Sequence, residues 1–193
     1  ANSIVQAGVN TMGTDQIAAW GICDKLNMLI WLMSDSMGPA LTTFVAQNLG
    51  AKNPERIRKG VTMGTSMSVG AVALISVGLF FFARILTPLF VSSQDAASLG
   101  VLVGTYSRMM APFFFFYAIA EALSGACCGT GDTVRPMITT LLAICLLRVI
   151  GILLVLPIYG TMECIVVIYI ASWIAAGISF LLLWRFDVSH ISK

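Results

Sequence analysis

Lys52 to Arg84 reads KNPERIRKGVTMGTSMSVGAVALISVGLFFFAR, and this stretch decides the fold. Four cations (Lys52, Arg56, Arg58 and Lys59) and one acid (Glu55) crowd its first eight residues; no charge then occurs from Gly60 to Ala83. Those 24 uncharged residues make about 36 Å of helix, enough to cross about 30 Å of hydrocarbon. A basic loop followed by a membrane span is the simplest reading.

Working outward, four more apolar stretches appear, so that the five run at about 16–48, 60–84, 98–128, 136–157 and 164–184. Positive charge collects in alternate gaps. After the Lys52–Lys59 cluster comes a gap (Thr87–Ser98) holding only Asp95, with Arg84 at its edge. Arg135 lies in the third gap, Glu163 alone in the fourth, and Arg185 and Lys193 follow the last stretch. The positive-inside rule then puts the gaps at 49–59 and 129–135, and the C-terminus, in the cytoplasm. Ala1–Thr11 is apolar but covers only about half a span, without a basic leader or cleavage pattern. It reads as the tail of a helix whose beginning is missing. The expectation is an all-α polytopic membrane protein in which residues 1–193 form one lobe: a partial first helix at 1–11 and five spans, as in half of a larger protein.

Composition agrees. A mean hydropathy of +0.92 with 10% charged residues leaves too little polar surface to cover a soluble globule. Nucleic acid is excluded as a partner, because the only basic cluster is the short Lys52–Lys59 loop, read as a topology determinant. Cys23, Cys127, Cys128, Cys145 and Cys164 show no metal-type spacing and imply no disulfide framework. No hydrolase, redox or nucleotide-binding motif occurs: His190 stands alone in the polar tail. Gly129-Thr130-Gly131 reads as a tight turn, with Asp132 capping the next helix. The chain is not read as an enzyme, it needs no cofactor, and any pumping would draw on an ion gradient.

Acids inside spans are costly and normally face a cavity or a partner. In the first long stretch Asp24, Trp31, Asp35 and Thr42 fall on one stripe, at steps of 7 and 11 residues. At roughly 35 residues this stretch exceeds a perpendicular span, and Gly38-Pro39 supplies the means to kink it. Asp24 is also open to a local role near the outer interface beside Lys25. Glu121 sits about seven residues above the cytoplasmic end of its span, with Tyr117 and Ser124 at i−4 and i+3. Arg148 lies at a depth like that of Asp35, which makes the two a candidate pair. Arg108 is placed near the outer interface, where it snorkels. The Phe113–Phe116 run covers all sides of its helix and suits packing better than a cage. Gly64, Ser66, Ser68 and Gly70 suit close helix approach.

Several connections resemble a known family. Ala46-Gln47-Asn48-Leu49-Gly50-Ala51 with Asn53-Pro54-Glu55-Arg56 is similar to the loop after the second helix of each half of the multidrug and toxic compound extrusion (MATE) transporters. Gly125-Ala126-Cys127-Cys128-Gly129-Thr130-Gly131-Asp132-Thr133 with Arg135-Pro136-Met137 resembles the later cytoplasmic turn of that half. Gly13-Thr14-Asp15 with Ile17-Ala18-Ala19 resembles the external turn into the second helix, and Leu147-Arg148-Val149 fits an arginine of the fifth. Cys128 departs from the arginine common before that Gly-x-Gly.

The resemblance implies two six-helix lobes around a central cavity, this chain being the C-terminal one. Cationic or amphipathic molecules would leave across a bilayer, such as a bacterial inner membrane, in exchange for entering sodium or protons. On that reading Asp35, Glu121 and Asp24 are the candidates for cation or cargo, with possible sodium at Asp35 or Glu121. Arg148, Tyr117, Thr42 and Trp31 support them, and a second transporter lobe is the expected partner. Two alternatives stay open: a lipid-linked saccharide flippase of the same superfamily, and a non-transporting membrane fragment.

Overall fold

A computed structural model describes residues 2–91 and 95–191. The middle of the Thr87–Ser98 connection, Ala1 and the terminal Lys193 lie outside the described residues. Among those described there is no strand. The helices are α1 (Asn2–Val9), α2 (Thr14–Gly50), α3 (Pro54–Leu86), α4 (Ala96–Met110), α5 (Phe114–Gly129), α6 (Val134–Thr140), α7 (Leu147–Tyr159) and α8 (Met162–Ile191).

Two of the expected spans are each built from a pair of helices. α4 and α5 meet at a 3₁₀ turn, Ala111–Phe113, where Pro112 withholds a backbone donor. α6 and α7 are joined by a π-helical segment, Leu141–Leu146. Four continuous runs, Pro54–Leu89, Ala96–Gly129, Val134–Tyr159 and Met162–Val188, are long and apolar enough to cross a membrane. α2 is the exception in composition. Its 37 residues, about 55 Å of helix, carry the polar stripe that lowers its hydropathy.

Helix ends follow local chemistry. Asn53 caps α3 by accepting the Arg56 amide at 3.1 Å, and Pro54 occupies the first turn, so α3 begins well before the apolar run. Asp132 caps α6 as the sequence predicts, accepting the amides of Val134 (3.0 Å) and Arg135 (3.2 Å). Gly131 has φ +94°, a left-handed turn that glycine adopts freely. The C-terminal stretch expected as a polar tail instead continues α8 to Ile191.

α2 stays helical through Gly38 and Pro39. Gly38 serves contact. A Cβ added at Gly125 would lie 2.1 Å from the Gly38 carbonyl oxygen, so α2 and α5 touch backbone to backbone. One turn on, a Cβ at Gly129 would lie 2.6 Å from the Thr42 carbonyl oxygen. Matching four-residue steps on both helices make them parallel. Their C-terminal ends, with the loops at 51–53 and 130–133, therefore share one end of the lobe. Arg135 reaches Asp187 there at 3.1 Å, which brings in the end of α8. The alternation of charge between gaps matches this sidedness.

Packing divides at the Gly38–Gly125 crossing. One cluster gathers bulky side chains, among them Trp20, Ile30, Tyr106, Phe114 and Trp173. The other, toward the basic end, packs Leu41, Val45, Ile57 and Phe180 against Ala120, Ala122 and Ala126. On α3, Gly64 meets Leu41 and Ser68 is buried, but Ser66 and Gly70 are exposed, so only half of its small residues serve helix approach. The phenylalanine run divides as its spacing predicts: Phe114 is buried, Phe116 packs on Gly177 and Phe115 faces outward.

Candidate functional site

One face of α2 carries Trp20, Asp24, Trp31 and Asp35 at helical spacing, and all four line a cavity of about 290 Å³. Val5 and Gln6 of α1, Tyr117 of α5, Arg148 of α7, and Tyr169 and Trp173 of α8 complete its wall. Five helices thus converge on a polar hollow among apolar spans. Asp24, Asp35 and Gln6 are exposed at its open side, whereas Arg148 is 6% exposed at its floor.

Asp35 and Arg148 each meet a neutral partner. The Tyr117 hydroxyl donates to Asp35 Oδ1 at 2.8 Å. Arg148 Nε donates to Ser172 Oγ at 2.9 Å, and its guanidinium lies 4.0 Å from the centre of the Tyr169 ring. Ser172 Oγ in turn donates to the Tyr169 carbonyl at 2.7 Å. Pro39 has no N–H, so the Asp35 carbonyl oxygen loses its usual i+4 donor. The site therefore has carboxylates on one wall, a cation on another, and aromatic residues between.

Those aromatics form a continuous rail. Ring centroids are 5.4 Å apart for Trp20 and Tyr169, 5.8 Å for Tyr169 and Trp173, and 6.2 Å for Tyr117 and Trp173. Phe114 backs Trp173 at 4.9 Å.

The sequence-predicted residues divide by position. Asp24, Trp31, Asp35, Tyr117 and Arg148 all reach the cavity. Asp35 and Arg148, paired on depth alone, share it, with Tyr117 on one and Ser172 and Tyr169 on the other. Lys25 is directed away from Asp24, 5.8 Å from the Phe90 ring. Glu121 is half-buried one turn beyond Tyr117, near enough to Asp35 for the two charges to interact, but it does not line the cavity. Thr42 lies off the site altogether. Its hydroxyl faces the Gly125 carbonyl at 2.8 Å and the Gly38 carbonyl at 3.0 Å, at the helix crossing.

Gln6, Trp20, Tyr169, Ser172 and Trp173 were missed by sequence reasoning, which weighed charged residues first. The α8 signal was there: Tyr169, Ser172 and Trp173 at i, i+3 and i+4 put a polar-aromatic face on an otherwise aliphatic helix.

Comparison with known proteins agrees with this architecture. The chain is 24% identical over 144 residues to "Probable multidrug resistance protein YpnP" of Bacillus subtilis, covering 75% of this chain and 32% of that protein. It is 26% identical over 132 residues to "Probable multidrug resistance protein NorM" of Thermotoga maritima, covering 68% and 28%. The chain thus spans about a third of the length of these curated relatives. A crystal structure of the eukaryotic MATE transporter AtDTX14 superposes with a TM-score of 0.77 at 18% identity, over 91% of this chain and 40% of that one. Because the MatE family model matches residues 2–154, most of its length, this multi-pass membrane chain belongs to the MatE family.

Proposed function

We propose that the chain is one lobe of a secondary-active exporter that moves cationic or amphipathic molecules out in exchange for sodium or protons. The observation that carries this reading is the pair of acids, Asp24 and Asp35, on the open side of an aromatic-walled cavity within membrane spans. A carboxylate at such a depth is stabilised by a cation, by a proton or by a closing partner. Each of these corresponds to a step of exchange. Asp35 is the principal cation site, Tyr117 positions it, and Glu121 adds a second charge behind it. Cargo and coupling ion compete for the same negative field, and rocking of two lobes about the cavity exposes it to either side. The second lobe closes the open side.

Arg148 is the feature that favours a flippase for lipid-linked saccharides, since an anionic headgroup needs cations. Among the residues lining the cavity it stands against two acids, which favours cationic cargo. The test is efflux from cells making the transporter that carries this lobe. Asp35→Asn and Glu121→Gln should each impair gradient-driven export of a cationic dye while membrane expression stays near normal. Full export by both variants across a range of pH and sodium would show that the carboxylates are structural.

A further inference from the structure

We propose that the basic end of α3 is a binding site for the phosphate headgroup of an anionic phospholipid, seated at Lys59 and Met63, where a groove lined by Arg56 meets another lined by Arg58. The inference does not depend on which cargo the cavity takes.

Four observations carry it. Lys52, Arg56, Arg58 and Lys59 are all exposed. Among the described residues Glu55 binds Lys59 at 2.6 Å, and no carboxylate pairs with Lys52, Arg56 or Arg58. The cluster thus holds an uncompensated positive charge.

The backbone holds that charge at the membrane edge. Lys52 takes a left-handed turn with φ 52°, Asn53 caps the helix, and the span begins at Pro54. The cations occupy its first two turns, the level of lipid phosphates for a helix that spans. Polybasic segments at such a position attract anionic lipid.

Concave space lies between them. One groove, of about 480 Å³, is lined by Phe44, Asn53, Arg56, Lys59, Gly60 and Met63, with Glu55, the partner of Lys59, also on its wall. A second, of about 650 Å³, lies along Glu55, Arg58, Lys59, Thr62 and Met63, so Glu55, Lys59 and Met63 stand between the two, and Arg56 and Arg58 each add a cation on one side of the Glu55–Lys59 pair. Phe44 covers Gly60 so closely that a Cβ there would meet its ring at 2.1 Å, which gives the groove of Arg56 an apolar wall.

The surface below suits acyl chains. Met63 and Met67, one and two turns past Lys59, are 67% and 63% exposed. Only 22% of the most apolar window of this span is buried inside the lobe. A free phosphate would use the cations alone; a diacyl lipid uses the cations and this apolar face together. Methionine adapts to flexible chains.

The experiment uses the protein purified in a neutral detergent and exposed to mixed micelles of phosphatidylglycerol or phosphatidylcholine, with retained lipid read by mass spectrometry. Wild type should retain phosphatidylglycerol in clear excess. Arg56→Gln with Arg58→Gln should weaken that retention by about fivefold for each cation removed. Arg185→Gln, which removes an exposed cation elsewhere at the same end, should leave it unchanged. Raising salt to 1 M should lower the wild-type excess, because screening then acts within about 3 Å. That measurement stands even if the double variant fails to fold. Inorganic phosphate at millimolar concentration should not displace the lipid. Equal retention of the two lipids, an excess that persists in the double variant or at high salt, or displacement by inorganic phosphate would overturn the proposal. The cluster would then serve membrane orientation or bind free anions.

Discussion

At the residue scale, Asp132 gathers the amides of Val134 and Arg135 and the guanidinium of Arg135 onto one carboxylate. These donors, the Arg135 backbone amide foremost, hold its pKa below the usual carboxylate range. A lowered folded-state pKa means stabilisation present above the unfolded pKa and lost as pH falls through the folded value. Asp132→Asn keeps the capping oxygen and removes the charge. The gap in thermal stability between wild type and this variant should hold steady at neutral pH and narrow only below about pH 4. A gap that closes already between pH 7 and 5 would count against the Asp132–Arg135 contact. Arg135 also stacks 5.3 Å from the Phe186 ring, so the same cation ties the α5–α6 turn to the end of α8.

At the element scale, the α2–α5 crossing organises the lobe, and it depends on missing side chains. At Gly125 an added Cβ meets backbone, 2.6 Å from Gly38 Cα, and backbone cannot rotate away as a side chain can. Gly125→Ala should therefore lower stability by about 1–3 kcal/mol, the usual cost of overpacking. Gly70→Ala is the control: nothing lies within 4 Å of its added Cβ, and alanine favours helix by about 1 kcal/mol. Melting of the two variants in detergent separates these outcomes; equal stability would contradict the crossing. The π segment before Arg148 is a second device at this scale. Widening a turn changes the azimuth of everything after it. Arg148 thereby enters the bundle although its neighbours Leu146, Ile150, Leu153 and Leu154 face outward. Periodicity of 3.6 residues could not foresee that, because the period itself changes at Leu141–Leu146.

At the scale of the whole molecule, the parallel run of α2 and α5 puts residues 51–53 and 130–133 at one end. The connection from Tyr159 to Met162 lies at the other, one span away. In a background without its five cysteines, Asn53→Cys and Thr133→Cys should react with an impermeant thiol reagent from the same side of the membrane. Glu163→Cys should react only from the opposite side. Labelling of Asn53→Cys and Thr133→Cys from opposite faces would undo both the crossing and the topology. The charge pattern predicts that labelling of these two comes from the cytoplasmic side.

The fold class, and which connections share an end, were legible in the chain because both depend on local quantities. A run of uncharged residues long enough to span does so whatever its neighbours are, and Lys52–Lys59 or Arg135 marks a side by its own charge. Capping at Asn53 and Asp132 was equally local. The acid stripe on α2 was visible for the same reason, since Asp24, Trp31 and Asp35 share a helix and hence an angle. What no single helix contains had to come from the fold. The hydrogen bond from Tyr117 to Asp35, the ring of Tyr169 beneath Arg148, and Thr42 turned to Gly125 instead of the cavity each join helices distant in sequence. Helix contacts in a bilayer are chosen by shape, at positions such as Gly38 and Gly125, and not by a hydrophobic pattern, because lipid is as apolar as the faces it touches. The residues that a span needs are therefore written along it, whereas the residues that a cavity needs are set by how the spans fit together.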